Sequence, residues 1–232
     1  MSILKSVRIG AVSSILSGLA WLALTPFMAT IGICQGICTS WADKPLVIRT
    51  LGRAVAHRGW LSFASPDTLY FGYGRYFFLV YALIIPGLIA LHRLQIQRHG
   101  PPNQLARRAY LLLLVSLMVA ALGDFTSYGI GVFSELAWRF GFGAEVLAWL
   151  GVMLGSLLYG IVLMRQPAFH PATGWLLVIA ALLMPATFFD RILVHYAPNA
   201  QLLPFALVWP TVGVVMLAKG YSGPRIPGGQ MQ

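Results

Sequence analysis

Acidic side chains are scarce in this chain: Asp43, Asp67, Asp124, Glu135, Glu145 and Asp190 are all of them, against sixteen lysines and arginines. Charged residues of both signs make up only 9% of the 232 residues, while hydrophobic residues make up 58%. A soluble domain has roughly a quarter of its residues charged, so this composition cannot furnish a water-facing surface. Cysteine is nearly absent as well. Cys34 and Cys38 stand alone, four apart, which argues against a thiolate metal site and leaves either two small apolar residues or, on an oxidising side, a disulfide.

Other absences narrow the chemistry. Of five histidines, only His92 and His195 lie near apolar runs, and they are expected at opposite membrane faces, which argues against a bis-histidine haem. His57, His99 and His170 are expected in loops or at the interface. No G-x-S-x-G, Walker A or H-E-x-x-H string occurs. The pairs Gly72 and Gly74, Gly129 and Gly131, and Gly141 and Gly143 lack the third glycine and the strand of a dinucleotide fingerprint. No metal and no cofactor is therefore expected. The net charge of +10 would suit nucleic acid, but no basic stripe interleaved with aromatics and no helix-turn-helix, finger or RNP pattern is present, so nucleic acid is not an expected partner.

What the chain has is long apolar runs. The first, from Ile9 to Ile33, is free of charge and follows Lys5 and Arg8. It is long enough to cross a ~30 Å hydrocarbon core and longer than the ~7–15 apolar residues of a cleaved signal, so it reads as a retained helix bent at Pro26. Further runs predict spans near 75–92, 109–133, 144–164, 174–194 and 202–219. The second and sixth are short and carry Pro86 and Pro210, as tilted, kinked or partly re-entrant segments do. The fold class is all-α: a polytopic transmembrane helix bundle of about six spans in one domain, 1–221, with a disordered tail over 222–232.

Between the first two spans, DKPLVIRTLGRAVAHRGW predicts a basic amphipathic helix capped by Asp43, with Pro45 in its first turn. Arg49, Arg53 and His57 share one stripe, and Val47, Leu51 and Val55 another. Such a helix lies along the membrane surface, so Arg49, Arg53 and Arg58 are candidates for contact with anionic headgroups; an ordered solvent loop is the alternative. The aromatics Trp41, Trp60, Tyr70, Tyr73, Tyr76, Trp138, Trp149, Trp175 and Trp209 mostly flank the spans, as interfacial anchors do.

Basic residues also set orientation. Arg93, Arg98, Arg107, Arg108 and Arg165, with Lys5, Arg8, Lys219 and Arg225, predict both termini in the cytoplasm. The first loop disobeys, since it would hold Lys44, Arg49, Arg53 and Arg58 outside. The preference for arginine over lysine leans toward a bacterial plasma membrane by compositional association alone.

Ionisable residues within spans are the default functional candidates, because burying them costs several kcal/mol unless something offsets it. Asp124 and Asp190 each lie about sixteen residues beyond the inner start of their spans, near ~24 Å across the core, so they share one level. That depth offers Arg191 as a partner for Asp124 and gathers Glu135, Arg139, Glu145 and His195 at the same face; Tyr128 follows Asp124 by one turn. A polar outer cluster results, with Asp124, Tyr128, Asp190, Arg191, Glu135, Arg139 and His195 as ligand candidates. Alternatively, these boundary residues snorkel to water or lock helices together.

The string ALGDFTSY at Asp124 resembles the GxGD motif of intramembrane aspartyl proteases, with Ala121 standing where that family has its first glycine. Met184-Pro185-Ala186 echoes the family's Pro-Ala-Leu signature. The resemblance implies two facing carboxyls that activate water, and it would make Asp124 and Asp190 the catalytic pair. Finally, Gly151 and Gly155 form a G-x-x-x-G pair on the fourth span and Gly10, Ser14 and Gly18 a similar line on the first, so helices approach closely there, within the chain or against a helical partner or second copy. Three functions stay open: solute, ion or lipid binding and transport; a structural, assembly or sensing subunit; and an intramembrane hydrolase.

Overall fold

The computed structural model describes residues 3–34, 40–42, 44, 48–165, 171–189 and 203–220. Among them there is no strand. The first apolar run forms α1 (Ile3–Cys34), with Pro26 inside it. Then come a π-helical turn, π1 (Ile48–Gly52), a single turn α2 (Arg53–His57) and α3 (Pro66–Gly74). The remaining long helices are α4 (Phe78–His99), α5 (Gln104–Asp124), α6 (Glu135–Met164), α7 (Pro171–Phe189) and α8 (Leu203–Gly220), with a second π-helical turn, π2 (Phe125–Ile130), prolonging α5.

Local chemistry explains the boundaries. Ser65 caps α3, where Pro66 occupies a first-turn position that needs no N–H. Asn103 Oδ1 accepts from the Ala106 N–H at 2.8 Å and starts α5; Ser134 Oγ accepts from the Ala137 N–H and starts α6. Gly100, at φ 76°, ends α4 in the left-handed region that glycine enters without steric cost. The Ser134 cap makes α6 nine residues longer at its start than the apolar run over 144–164 predicts, because a helix whose first turns lie beyond the hydrocarbon does not need apolar residues there.

The helices form a ring. α1 packs on α4 and on α8, α4 on α5, α5 on α6, α6 on α7, and α7 on α8, with a further contact of α4 with α8. The polarity of this bundle is the reverse of a water-soluble one. Ser14, Ser17, Thr30, Asp124, Ser127, Glu145 and Ser156 are fully buried, while Leu111, Val115, Met118 and Leu122 on α5, and Leu147, Leu150 and Leu154 on α6, face outward. Leucines repeated at one-turn spacing on an outer face fit acyl chains and would be costly in water.

Four helical stretches, Lys5–Gly32, Pro66–Gln97, Gln104–Ile130 and Glu135–Met164, are long and apolar enough to cross a bilayer; Ala172–Pro185 and Pro204–Ala218 are shorter apolar helices. The chain is an integral membrane protein of roughly six spans. After α1 the described residues give π1 and α2, which run on without a break as one helical stretch over 48–57, anchored through Val55, which is buried with Ile31, Leu61 and Leu69. Arg49, Arg53 and Arg58 are exposed there, and so is Leu51; Asp43, Pro45 and Val47 lie outside the described residues.

Small residues hold the ring together. A Cβ on Gly155 would meet the backbone N of Leu113 at 2.8 Å and its Cα at 2.9 Å, and one on Gly151 would strike Ser116. The G-x-x-x-G pair is thus consumed inside the chain, at the crossing of α6 with α5. Gly160 and Gly174 bring α6 and α7 equally close, each against the other's backbone carbonyl. A Cβ on Gly143 meets nothing within 4 Å. Gly155→Leu is therefore expected to force α5 and α6 apart at a cost of about 1–3 kcal/mol or more, whereas Gly143→Leu should be silent. Thermal unfolding of the detergent-solubilised variants checks this, and equal midpoints for the two would contradict the packing described.

Candidate functional site

The α3 end of the bundle, where α1 and α5 finish and α4 and α6 begin, holds two carboxyl groups with no exposed surface, those of Asp124 and Glu145. They come from facing helices. Asp124 ends α5, and Glu145 lies on the inward stripe of α6 with Gly141, Ala148, Val152 and Gly155. What lets them meet is a crossing without side chains. A Cβ on Gly123 would lie 2.8 Å from the Gly141 carbonyl oxygen and 2.9 Å from the Glu145 nitrogen; one on Gly141 would lie 2.6 Å from the Ser127 nitrogen. Backbone touches backbone here.

The two carboxyls are held differently. Tyr81 on α4 donates its hydroxyl to Glu145 Oε1 at 2.7 Å, and the Trp149 indole N–H donates to that same hydroxyl at 2.8 Å. This chain fixes one oxygen of Glu145, while Oε2 has no hydrogen-bond partner. Among the described residues Asp124 has none for either oxygen. The Phe78 N–H, at the start of α4, faces its carboxyl without closing a hydrogen bond of ordinary geometry. Among the described residues no lysine, arginine or histidine is paired with either acid. An uncompensated charge at this depth costs several kcal/mol, so the pair calls for a proton, a cation or a ligand to neutralise it.

Above the carboxyls the chain widens into π2, in which the i to i+5 bonding adds a residue to the turn; such turns frequently accompany functional sites. Buried Tyr128 in π2 packs its ring on Gly74, where a Cβ would collide with it, and its hydroxyl lies 3.2 Å from that of Tyr70 on α3. Both tyrosines are within electrostatic reach of Asp124 and Glu145. Two clefts flank this hydroxyl pair. One, of about 470 Å³, is lined by Tyr128 together with residues of α3, of the turn that follows it and of the turn after π2; the other, of about 460 Å³, lies between the end of α1 and α3 and is lined by Tyr70 and Asp67.

The residues singled out from the sequence fare unequally. Asp124 and Tyr128 are in the site. Glu135 and Arg139 are not: they pair with each other at 2.6 Å on the exposed first turns of α6, with side chains 74% and 69% exposed. Asp190, Arg191 and His195 lie outside the described residues. Glu145, expected only as a boundary residue, is instead the second buried acid, and Tyr81, Trp149 and Tyr70 complete the surroundings. The signal for Glu145 was the small-residue stripe of α6, which extends back from Gly155 through Val152 and Ala148 to Glu145 and Gly141 at helical spacing. No grouping of three or more histidine, cysteine, aspartate or glutamate side chains suited to a metal occurs among the described residues.

A second polar network sits at the other end of α4. His92 Nδ1 lies 3.1 Å from Gln95 Oε1 and 3.3 Å from the Tyr159 hydroxyl, which itself donates to Gln95 Oε1 at 2.9 Å. The His92 ring stacks on Tyr110, centroids 3.8 Å apart and planes 8° from parallel. This network ties α4, α5 and α6 and engages the His92, Tyr159 and Gln95 Oε1 groups with one another, leaving the Gln95 amide nitrogen without a partner among the described residues.

Tyr81→Phe removes the 2.7 Å donor to Glu145 Oε1 and the acceptor of the Trp149 N–H, so a loss of about 1–3 kcal/mol is expected. Glu145→Gln should cost less, because the amide oxygen accepts the same O–H. Denaturation of the purified variants tests the order, and Tyr81→Phe as stable as the parent would show that the chain contributes little. No protein-family model, curated protein or solved structure matches this sequence.

Proposed function

We propose that this membrane protein binds a small positively charged solute or ion at the Asp124–Glu145 pair, as the first step of handling it at or across the bilayer. One observation carries the reading: three carboxyl oxygens, Oδ1 and Oδ2 of Asp124 and Oε2 of Glu145, are buried without a hydrogen-bond partner among the described residues. Buried polar atoms are nearly always satisfied, and exceptions concentrate where something else binds. The asymmetry between the acids supports it too. Glu145 is oriented by Tyr81 and Trp149, as a fixed ligand is, while Asp124 is left to respond.

The charge pattern supports an orientation with both termini in the cytoplasm and the acid pair in the outer half of the membrane. Cys34, at the far end of α1 from Lys5 and Arg8, is disulfide-bonded, and disulfides persist on the oxidising side. Exposed Arg49, Arg53 and Arg58 beside Trp60 then lie at the outer headgroup level, where they contact lipid phosphates.

The test is binding by the full-length protein in detergent. Sodium, potassium and tetramethylammonium are titrated separately while thermal stability and tryptophan fluorescence are followed, Trp149 being coupled to Glu145 through Tyr81. At least one cation should raise the midpoint saturably, as any ligand of the native state must, by RT ln(1 + [L]/Kd). Asp124→Asn with Glu145→Gln should abolish that rise without loss of the folded protein. A flat response to all three cations in the parent protein sinks the proposal.

A second reading is favoured by the same pairing of carboxyls on facing helices: hydrolysis, with one carboxyl activating water and the other donating a proton. Glu145 would then take the place that the sequence offered to Asp190. Turnover of an ester or amide amphiphile that disappears in Asp124→Asn, with cation binding absent from the parent, would favour it over the first.

A further inference from the structure

The cleft of about 470 Å³ beside Tyr128 is not used by the reading above, and its lining carries a chemical order of its own. Its walls include Phe63, Phe71, Tyr73, Tyr76 and Tyr128, and beyond Tyr128 lie the two carboxyls. Aromatic π-faces and nearby acids both attract a cation, so the inner end favours positive charge. Arg75 stands on the same lining with the opposite preference. Its guanidinium lies 5.0 Å over the Tyr76 ring and donates from Nη2 to the Tyr76 hydroxyl at 3.2 Å, exposed to whatever enters, and it is suited to a phosphate. Val132 and Phe133 also line the cleft, 47% and 88% exposed, and continue it onto the apolar outer surface of the bundle.

A ligand meeting these groups has an ammonium end toward Tyr128, a phosphate beside Arg75 and a hydrocarbon tail along Val132 and Phe133. The volume is that of a small-molecule site, enough for a headgroup and the start of one chain. We propose that this cleft is the headgroup subsite for a single-chain zwitterionic amphiphile bearing phosphate and ammonium, with the ammonium directed through the Tyr70–Tyr128 hydroxyl pair toward Asp124 and Glu145. The proposal rests on the cation-binding reading of that acid pair. Gly72 makes it separable. It lines the cleft, and a Cβ there meets nothing within 4 Å, so a larger side chain fills the space without displacing a neighbour.

The experiment uses the full-length protein in maltoside micelles and three probes of equal chain length: lysophosphatidylcholine, lysophosphatidic acid, which lacks the ammonium, and an alkyltrimethylammonium, which lacks the phosphate. Lysophosphatidylcholine is expected to bind about tenfold more tightly than either, the equivalent of one added charge-assisted contact. Gly72→Leu should weaken it by about tenfold or more and leave the tetramethylammonium response unchanged. Arg75→Gln should lower lysophosphatidylcholine to the level of the alkyltrimethylammonium. Equal binding of the three probes, or undiminished lysophosphatidylcholine binding in both variants, overturns the subsite while the acid pair keeps its cation. Loss of the tetramethylammonium response in the parent protein removes the underlying reading instead.

Discussion

How closely α5 and α6 approach decides everything at the α3 end of this bundle. Gly123 and Gly141 have no side chains to hold the helices apart, and the space between them is too small for even a methyl group. Within a membrane the hydrophobic effect does not drive helices together, since acyl chains are as apolar as leucine; close packing and shared polar contacts do that work. The glycine crossing supplies the first and brings the second with it. Once the backbones touch, a carboxyl at the end of α5 and another on the inner stripe of α6 are enclosed.

That enclosure is costly, and the surroundings offset it only in part. Tyr81 and Trp149 provide a hydrogen-bond chain for one oxygen of Glu145, and the start of α4 places the positive end of a helix dipole near Asp124. Replacing Asp124 and Glu145 by apolar residues of similar volume would remove the penalty altogether, as it often does for buried charges. A chain with only six acids that nevertheless places two of them here retains them against stability. The contrast with His92, Gln95 and Tyr159 is one of charge: that neutral network leaves one amide nitrogen without a described partner, whereas the acid pair leaves three carboxyl oxygens.

Much of the fold was legible in the sequence, because a run of apolar residues of bilayer length has few other structures available to it. Four long apolar helices and two shorter ones make up roughly the expected six, although α6 begins at Glu135 after the Ser134 cap, where a cap and not hydropathy fixes the start. Half of the site was legible. Asp124 stood out as a charge within an apolar run, and Tyr128 followed from one-turn spacing, but the partner acid was sought by depth alone. The expected depth grouped Glu145 with Glu135 and Arg139, but on the one helix α6 it lies ten and six residues further in, about 15 and 9 Å along the axis, while those two stay on the exposed first turns. Facing direction separates them, and it was written in the stripe of Gly141, Ala148, Val152 and Gly155. Tyr81 and Tyr70 could not be reached by such periodicity, since their roles depend on which helices adjoin across the ring.

The interior of the ring also limits the side from which the carboxyls are reached. Below Tyr81 a void of only about 10 Å³ is lined by Val80, Ile84, Leu117, Val152, Phe205 and Ala206. A water needs about that much room and two or more polar partners, and this lining offers one hydroxyl, that of Tyr81, already engaged with Glu145 and Trp149. The acid pair is thus separated from the His92 end by a dry layer, while at the α3 end the Tyr70–Tyr128 hydroxyl contact lies near it, with a cleft against each tyrosine. Parting the one hydroxyl contact between buried Tyr128 and half-buried Tyr70 is a smaller change than opening a packed apolar layer. Access from the α3 end is therefore the low-barrier route, and any passage onward to the other face requires the helices around Ile84, Leu117 and Val152 to move.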